Sequence, residues 1–124
     1  MTYALGKRSL ERLVGVHPDL VRVVKRAIEL TERDFSVIEG LRTIETQRAY
    51  VAKGASKTMN SRHITGHAVD LYPVGRPTPW DKCPVVAKAM QAAADELGVA
   101  IVWGGSWKSF VDQPHFELLR SKYP

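Results

Sequence analysis

Apolar residues recur at helical spacing from Pro18 to Glu29: Leu20, Val23, Val24, Ala27 and Ile28 share one side, and Arg22, Lys25, Arg26 and Glu29 fall between them. Pro18 suits a first helical turn, where its missing N–H costs nothing, and Asp19 complements the helix dipole there. A second long helix is expected over Pro84–Leu97, with Val85, Val86, Ala89, Met90, Ala93 and Leu97 apolar and Gly98 as its stop. Two shorter helices are expected. One covers Gly6–Val14, with Leu10, Leu13 and Val14 inward; the other runs from Ile44 to Lys53, capped by Thr43 and ended by Gly54. The pattern changes to strand type at Phe35–Gly40 and at His67–Tyr72. In the latter, His67, Val69 and Leu71 share one face and Ala68, Asp70 and Tyr72 the other. Val99–Trp103 reads as a buried strand and His115–Leu118 as a last short one, while Pro73, Gly75, Pro77 and Pro79 mark a loop. This order gives an α+β fold: a small, mainly antiparallel sheet with helices packed against it. The 124 residues suit a single domain, 1–124, without internal repeats.

Composition narrows the class. Hydrophobic residues at 44% and charged ones at 25% are the balance of a globule rather than a disordered tail. Apolar runs stay well below the roughly 18 residues that cross a bilayer, so no stable membrane insertion is expected. The stretch Met1–Arg8 lacks a signal peptide's apolar core, so synthesis in the cytoplasm without an export signal is expected. One cysteine excludes an internal disulfide framework; no histidine stands near Cys83 in sequence to make a nucleophile of it, and it reads as a partly buried thiol. The net charge of +5 draws polyanions, whether nucleic acid, acidic lipid or an anionic wall polymer. The positive residues are scattered, with no basic stripe interleaved with aromatics, which argues against nucleic acid.

The candidate chemistry lies in Ser61–Asp70. His63 and Asp70 stand seven apart with Gly66 between them, so a turn can bring both onto one cation. Zinc takes imidazole nitrogen and carboxylate oxygen, and a catalytic zinc usually has three protein ligands and an open position. His67, four residues after His63, has the spacing of two ligands on one helical face. However, Gly66 interrupts, no glutamate follows His63, and a strand beginning at His67 points its ring away from Asp70. His63 and Asp70 are therefore the preferred pair. The third ligand is available at His115 in Asp112-Gln113-Pro114-His115-Phe116-Glu117, where Pro114 forbids a regular helix and a turn lets Asp112 reach the activated water. Glu117 shares a strand face with His115 and competes with Asp112 for the role of base, or supports the metal ligand from behind. Arg42 follows a strand and precedes a helix, a place from which it can clamp a substrate carboxylate with two hydrogen bonds. His17, ahead of Pro18, reads as structural.

Ser61-x-His63-x-x-Gly66-x-Ala68-x-Asp70 followed by His115 resembles the signature of the LAS metallopeptidases, which include D-alanyl-D-alanine carboxypeptidases, vancomycin-resistance dipeptidases and phage endolysins. The similarity runs over almost the whole chain and is greatest to the short phage L-alanyl-D-glutamate endopeptidases. What it implies is an LAS/hedgehog-like fold with a zinc site in a groove. One Zn2+ per chain would be held by His63, Asp70 and His115, with Asp112 as general base. Gly40-Leu41-Arg42-Thr43 matches the family's Gly-x-Arg-[Ser/Thr] segment, which places Arg42 in substrate and transition-state binding. Gln47 and Ser61 match residues near the substrate, and Trp107 would line the groove, with Trp103 more suited to core packing. Asp112 stands where many carboxypeptidases carry Glu, which favours the endopeptidase branch; Ser106 stands where relatives often carry an acid, so no role of that acid is carried over. The implied partner is the peptidoglycan stem peptide, met by a monomer that a phage holin releases to the wall. Three other readings differ in kind: a D-alanyl-D-alanine carboxypeptidase with the same site, a non-catalytic zinc-stabilised binding domain, and a small nucleic-acid-binding protein.

Overall fold

The computed structural model describes residues 2–124; Met1, the first residue of the stretch read for a signal peptide, lies outside them. In chain order the elements are α1 (Lys7–Arg12), α2 (Pro18–Leu30), β1 (Phe35–Glu39), α3 (Ile44–Ala52), β2 (Ala68–Pro73), α4 (Cys83–Leu97), β3 (Ile101–Trp103) and β4 (His115–Leu118). Single 3-10 turns at Trp80–Lys82 and Gly104–Ser106 precede α4 and follow β3. The strands form one antiparallel sheet in the order β1-β2-β4-β3.

The two long helices follow their apolar spacing. In α2 the buried side chains are Leu20, Val23, Val24, Ala27 and Ile28, the five that the periodicity singles out. His17 caps this helix, its Nδ1 accepting from the Asp19 N–H at 3.1 Å, which gives it the structural place expected of it. In α4, Gly98 takes the left-handed conformation (φ 69°), and the Val99 N–H returns to the Ala94 carbonyl at 2.9 Å, closing the helix end. These helices pack on each other and on one face of the sheet, where Val37, Val69, Leu71, Phe116 and Leu118 complete the core. Burying this many branched and aromatic side chains, each worth about 1.5–3 kcal/mol, is what holds the sheet against the helices. Cys83 is buried at the start of α4, and burial, with Asp112 and Asp81 adding, pushes its thiol pKa up, so it stays protonated and inert.

Three expectations are corrected. The first helix is only Lys7–Arg12; Leu13 is buried beyond its end, but Leu10 and Val14 are 46% and 76% exposed. The chain turns at Leu13–Gly15 instead of continuing helically, so the three apolar residues do not share a face. The expected buried strand Val99–Trp103 shrinks to Ile101–Trp103, and all three residues are only half-buried. Val99 is used by the helix closure just described, and β3 is an edge strand paired to β4 alone. His67 also lies one residue outside its expected strand. Its carbonyl still accepts from Leu118 at 2.9 Å, but its ring turns towards His17, 5.6 Å away between centroids.

Among the described residues, no helix is long and apolar enough to cross a membrane.

Candidate metal centre

Strand alternation separates the core from the site. Val69 and Leu71 of β2, with Phe116 and Leu118 of β4, point into the core, so Asp70 and His115 point to the opposite face. The β2–β4 register sets these two directly across from each other. His63 arrives from outside the sheet, on a run of tight turns closed by Gly66 N–H to His63 carbonyl (3.2 Å) and His67 N–H to Arg62 carbonyl (2.9 Å). Gly66 makes that turn possible: its φ is +76°, and a Cβ there would meet the Gly15 carbonyl oxygen at 2.5 Å.

The ligand atoms of His63, Asp70 and His115 lie within 4.8 Å of one another. Asp70 Oδ1 is 3.3 Å from His63 Nε2 and 3.3 Å from His115 Nδ1. The outer ring nitrogens are engaged elsewhere. His63 Nδ1 is 2.8 Å from the Gly40 carbonyl, to which it donates, so that Nε2 is the nitrogen facing the site. His115 Nε2 is 2.8 Å from Glu117 Oε1. Two imidazoles oriented from behind by a carbonyl and a carboxylate, with one carboxylate oxygen between them, form the donor set zinc prefers. The residues present fit such an ion.

Burial and hydrogen bonding set the charges. Burial pushes the Asp70 carboxyl up, but the hydrogen bonds of His115 and His63 outweigh it and hold the group well below the usual carboxylate range. Burial likewise lowers the pKa of His115, and the hydrogen bonds to Asp70 and Glu117 reverse this and raise it to about 9. For Glu117, burial acts upward and the hydrogen bond from His115 prevails, so its pKa is lowered. Asp112 moves the other way: burial and then the negative charge of Asp70 raise its pKa, which makes it a better proton acceptor than an ordinary aspartate.

Asp112 lines the same open groove, of about 610 Å³, as Arg42, Ser61, His63, Asp70, Trp107 and His115. Its backbone is pinned at both ends, N–H to the Gly104 carbonyl (3.1 Å) and carbonyl to the His115 N–H (3.1 Å). Gly104 permits this approach, since a Cβ there would stand 2.4 Å from the Asp112 carbonyl oxygen. Trp107 forms a wall beside His115, with ring centroids 5.1 Å apart. Trp103 packs against Phe116 and donates its Nε1–H to the Gln113 carbonyl at 2.6 Å, a packing role with a tether to the Asp112 loop.

Arg42 is held on several sides. Its Nε donates to Glu39 Oε1 at 2.9 Å and its Nη2 bonds the same oxygen. Nη1 donates to Gln47 Oε1 (2.7 Å) and Ser61 Oγ (3.4 Å), and the guanidinium lies 4.6 Å over the Tyr50 ring. Gln47, expected beside the substrate, is instead fully buried and does not line the groove. Its carbonyl oxygen holds Arg42, and its amide is occupied by Ser56 Oγ and the Thr58 carbonyl. Gln47 is the buried position of α3, turned towards Arg42 on one side and the Ser56–Thr58 loop on the other. Ser61 does reach the groove, and its Oγ also accepts from the His63 N–H at 3.2 Å. His67 is not drawn into the site.

Sequence reasoning missed Glu39, Tyr50 and Arg62. Arg62 is buried, its Nη2 donating to the Leu118 and Tyr123 carbonyls at 3.2 and 2.6 Å while its Nε lies 4.0 Å from Glu117 Oε2. It thus backs the acid that holds His115. The sequence does carry one signal for it, in that Arg62 adjoins a candidate ligand, but only the fold brings Glu117 alongside.

The model of the phage L-alanyl-D-glutamate peptidase family matches residues 1–119. The chain is 34% identical over 130 aligned positions to the L-alanyl-D-glutamate peptidase of Escherichia phage T5, covering 99% of this chain and 94% of that protein. It is 40% identical to the L-alanyl-D-glutamate peptidase of Listeria phage A118, covering 95% of this chain but 43% of that longer relative. The crystal structure of the Serratia marcescens L-Ala D-Glu endopeptidase ChiX superposes with a TM-score of 0.89 at 46% identity, covering 95% and 91% of the two chains.

Proposed function

The chain belongs to the phage L-alanyl-D-glutamate peptidase family, and from that premise we propose that it is a zinc-dependent endolysin that cuts the bond between L-alanine and D-glutamate in the peptidoglycan stem peptide. The observation that carries the metal assignment is the convergence of His63, Asp70 and His115 within 4.8 Å, beside Asp112 and Arg42 in one groove.

His63 Nε2, Asp70 Oδ1 and His115 Nδ1 would hold the zinc ion. When bound, zinc supplies Lewis acidity toward the scissile carbonyl and toward water. Asp112 takes a proton from the attacking water onto its carboxylate and returns it to the leaving amine of D-glutamate; its raised pKa suits both transfers. Arg42 presents its guanidinium to the oxygen on which negative charge develops, or to a substrate carboxylate, from a frame held by Glu39, Gln47 and Ser61. Ser61 and Trp107 line the path of the peptide. Passage to the wall with the help of a holin is what the family suggests.

The test compares bound zinc and wall lysis for the wild type, His63→Ala and Asp112→Asn, and identifies the new termini in wall digests. His63→Ala is expected to lose zinc. Asp112→Asn is expected to keep it and to lose activity by about a hundredfold to ten-thousandfold, the usual worth of a general base. Zinc retained by His63→Ala would sink the ligand set. Full lysis by Asp112→Asn would remove the base, and release of terminal D-alanine without new D-glutamate amines would make the enzyme a carboxypeptidase.

A further inference from the structure

Glu39 reaches the groove only because β1 bulges. In an even ladder it would share a face with Val37, which is fully buried in the core. The register slips between them, so Val37 stands opposite Leu71 and Glu39 opposite Asp70, with Ile38 as the extra residue. The slip brings the Glu39 carboxylate to the metal face. One of its oxygens takes Nε and Nη2 of Arg42, and the other accepts from the Tyr50 hydroxyl at 3.4 Å. Asp70 is the other acid within reach of Arg42: Nη2 lies 3.8 Å from Asp70 Oδ2, while Asp70 Oδ1 faces the two histidines. One guanidinium thus stands between two carboxylates, one of which belongs to the metal site.

We propose that Glu39 is a positioning residue that holds Arg42 away from Asp70 and so leaves the Asp70 carboxylate free to bind metal. The inference rests on the zinc reading above. A guanidinium without a partner closes on a nearby carboxylate in fork fashion, engaging both oxygens. On Asp70 that pairing would withdraw Oδ1 from the two imidazoles and lower its basicity. The Asp70 side chain is only 18% exposed, so water and salt would do little to weaken the misplaced pair. Gln47 and Ser61 also hold Arg42, but both are neutral and grip only Nη1. Nη2, the nitrogen 3.8 Å from Asp70 Oδ2, is restrained by Glu39 together with Nε.

The test measures zinc affinity, by competition with a chromophoric chelator, for the wild type, Glu39→Gln, Arg42→Met and the double variant. Loss of a group that supports a metal ligand from behind typically weakens metal binding about 10–100-fold, and Glu39→Gln is expected to fall in that range. Arg42→Met is expected to bind at least as tightly as the wild type, because the competitor is gone. The double variant is expected to return to within about threefold of the wild type although both charges are missing, a recovery that general loss of structure would not give. Glu39→Gln binding within about threefold of wild type overturns the proposal. So does a double variant as weak as Glu39→Gln, or an Arg42→Met about tenfold weaker than wild type, since Arg42 would then support the site. If Glu39→Gln does not fold, as judged by circular dichroism, Arg42→Met and the double variant decide by the same criteria. A wild-type chain that binds no zinc overturns the function reading and this inference together, whereas a normal Glu39→Gln overturns this inference alone.

Discussion

His115 lies between two acids with both ring nitrogens engaged, 3.3 Å from Asp70 and 2.8 Å from Glu117. Those contacts outweigh burial and lift its pKa to about 9, so in the metal-free chain the ring is protonated at neutral pH. The proton facing Asp70 occupies the place of the metal, while the one facing Glu117 remains after binding. Zinc at the proposed site would therefore displace one proton from His115. The sign follows: below about 9, each unit drop in pH raises the competing proton tenfold, so apparent zinc affinity falls about tenfold per unit and levels off above about 9. Chelator competition measured from about pH 6 to about 10 checks this, and a flat profile would remove His115 from the ligand set. At this scale the candidate ligands are legible in sequence because their side-chain chemistry is. The identity of the groups behind them is not. Glu39 looks like an ordinary strand end, and Gln47, read as a substrate contact, proves to be buried behind Arg42. Glu39 depends on a slip of strand register, and Gln47 on where the loop after α3 folds back.

Among the elements, the β2–β4 pair and the turn before it do most to assemble the site. Period-two alternation in Val69–Leu71 and Phe116–Leu118 puts Asp70 and His115 on the face opposite the core, which the sequence pattern alone predicts. The turn carrying His63 depends on Gly66, and Gly66→Ala is expected to be costly. A left-handed backbone costs a non-glycine residue roughly 1–2 kcal/mol, and here the new methyl would also meet the Gly15 carbonyl at 2.5 Å. Denaturant unfolding should show a loss of about 2 kcal/mol or more, together with weaker zinc binding because His63 rides on the turn. An unchanged midpoint would show that the turn does not need glycine. The elements whose limits differed from expectation, α1 and β3, are short or at an edge. There a helix closure or a neighbouring turn decides the boundary, and apolar spacing over a few residues does not.

For the whole molecule, the net charge of +5 is spread over the surface, while the acids and bases of the groove largely offset one another. Charge spread in this way suits dwelling on an anionic wall, and its effect is screened by salt. The Debye length shrinks from about 10 Å at 0.1 M to about 3 Å at 1 M, so wall lysis is expected to fall steeply over that range. Hydrolysis of a small soluble stem peptide should change much less. A lytic rate that stays flat as salt rises would deny the surface charge any part in wall binding.

Taken by itself, the sequence determined the two long helices and the antiparallel α+β class, and it singled out His63, Asp70 and His115 as candidate metal ligands and Asp112 as a candidate proton acceptor. Each of these follows from local periodicity, from turn residues or from the chemistry of a side chain. Tertiary structure alone decided that Glu39 leaves the core face through a bulge and that Gln47 and Tyr50 frame Arg42. It also decided that Arg62 backs Glu117 and that Gly104 admits the Asp112 loop. The physical reason is register. Whether two charged side chains face each other or face away depends on how strands and turns are paired, and a one-residue slip reverses it.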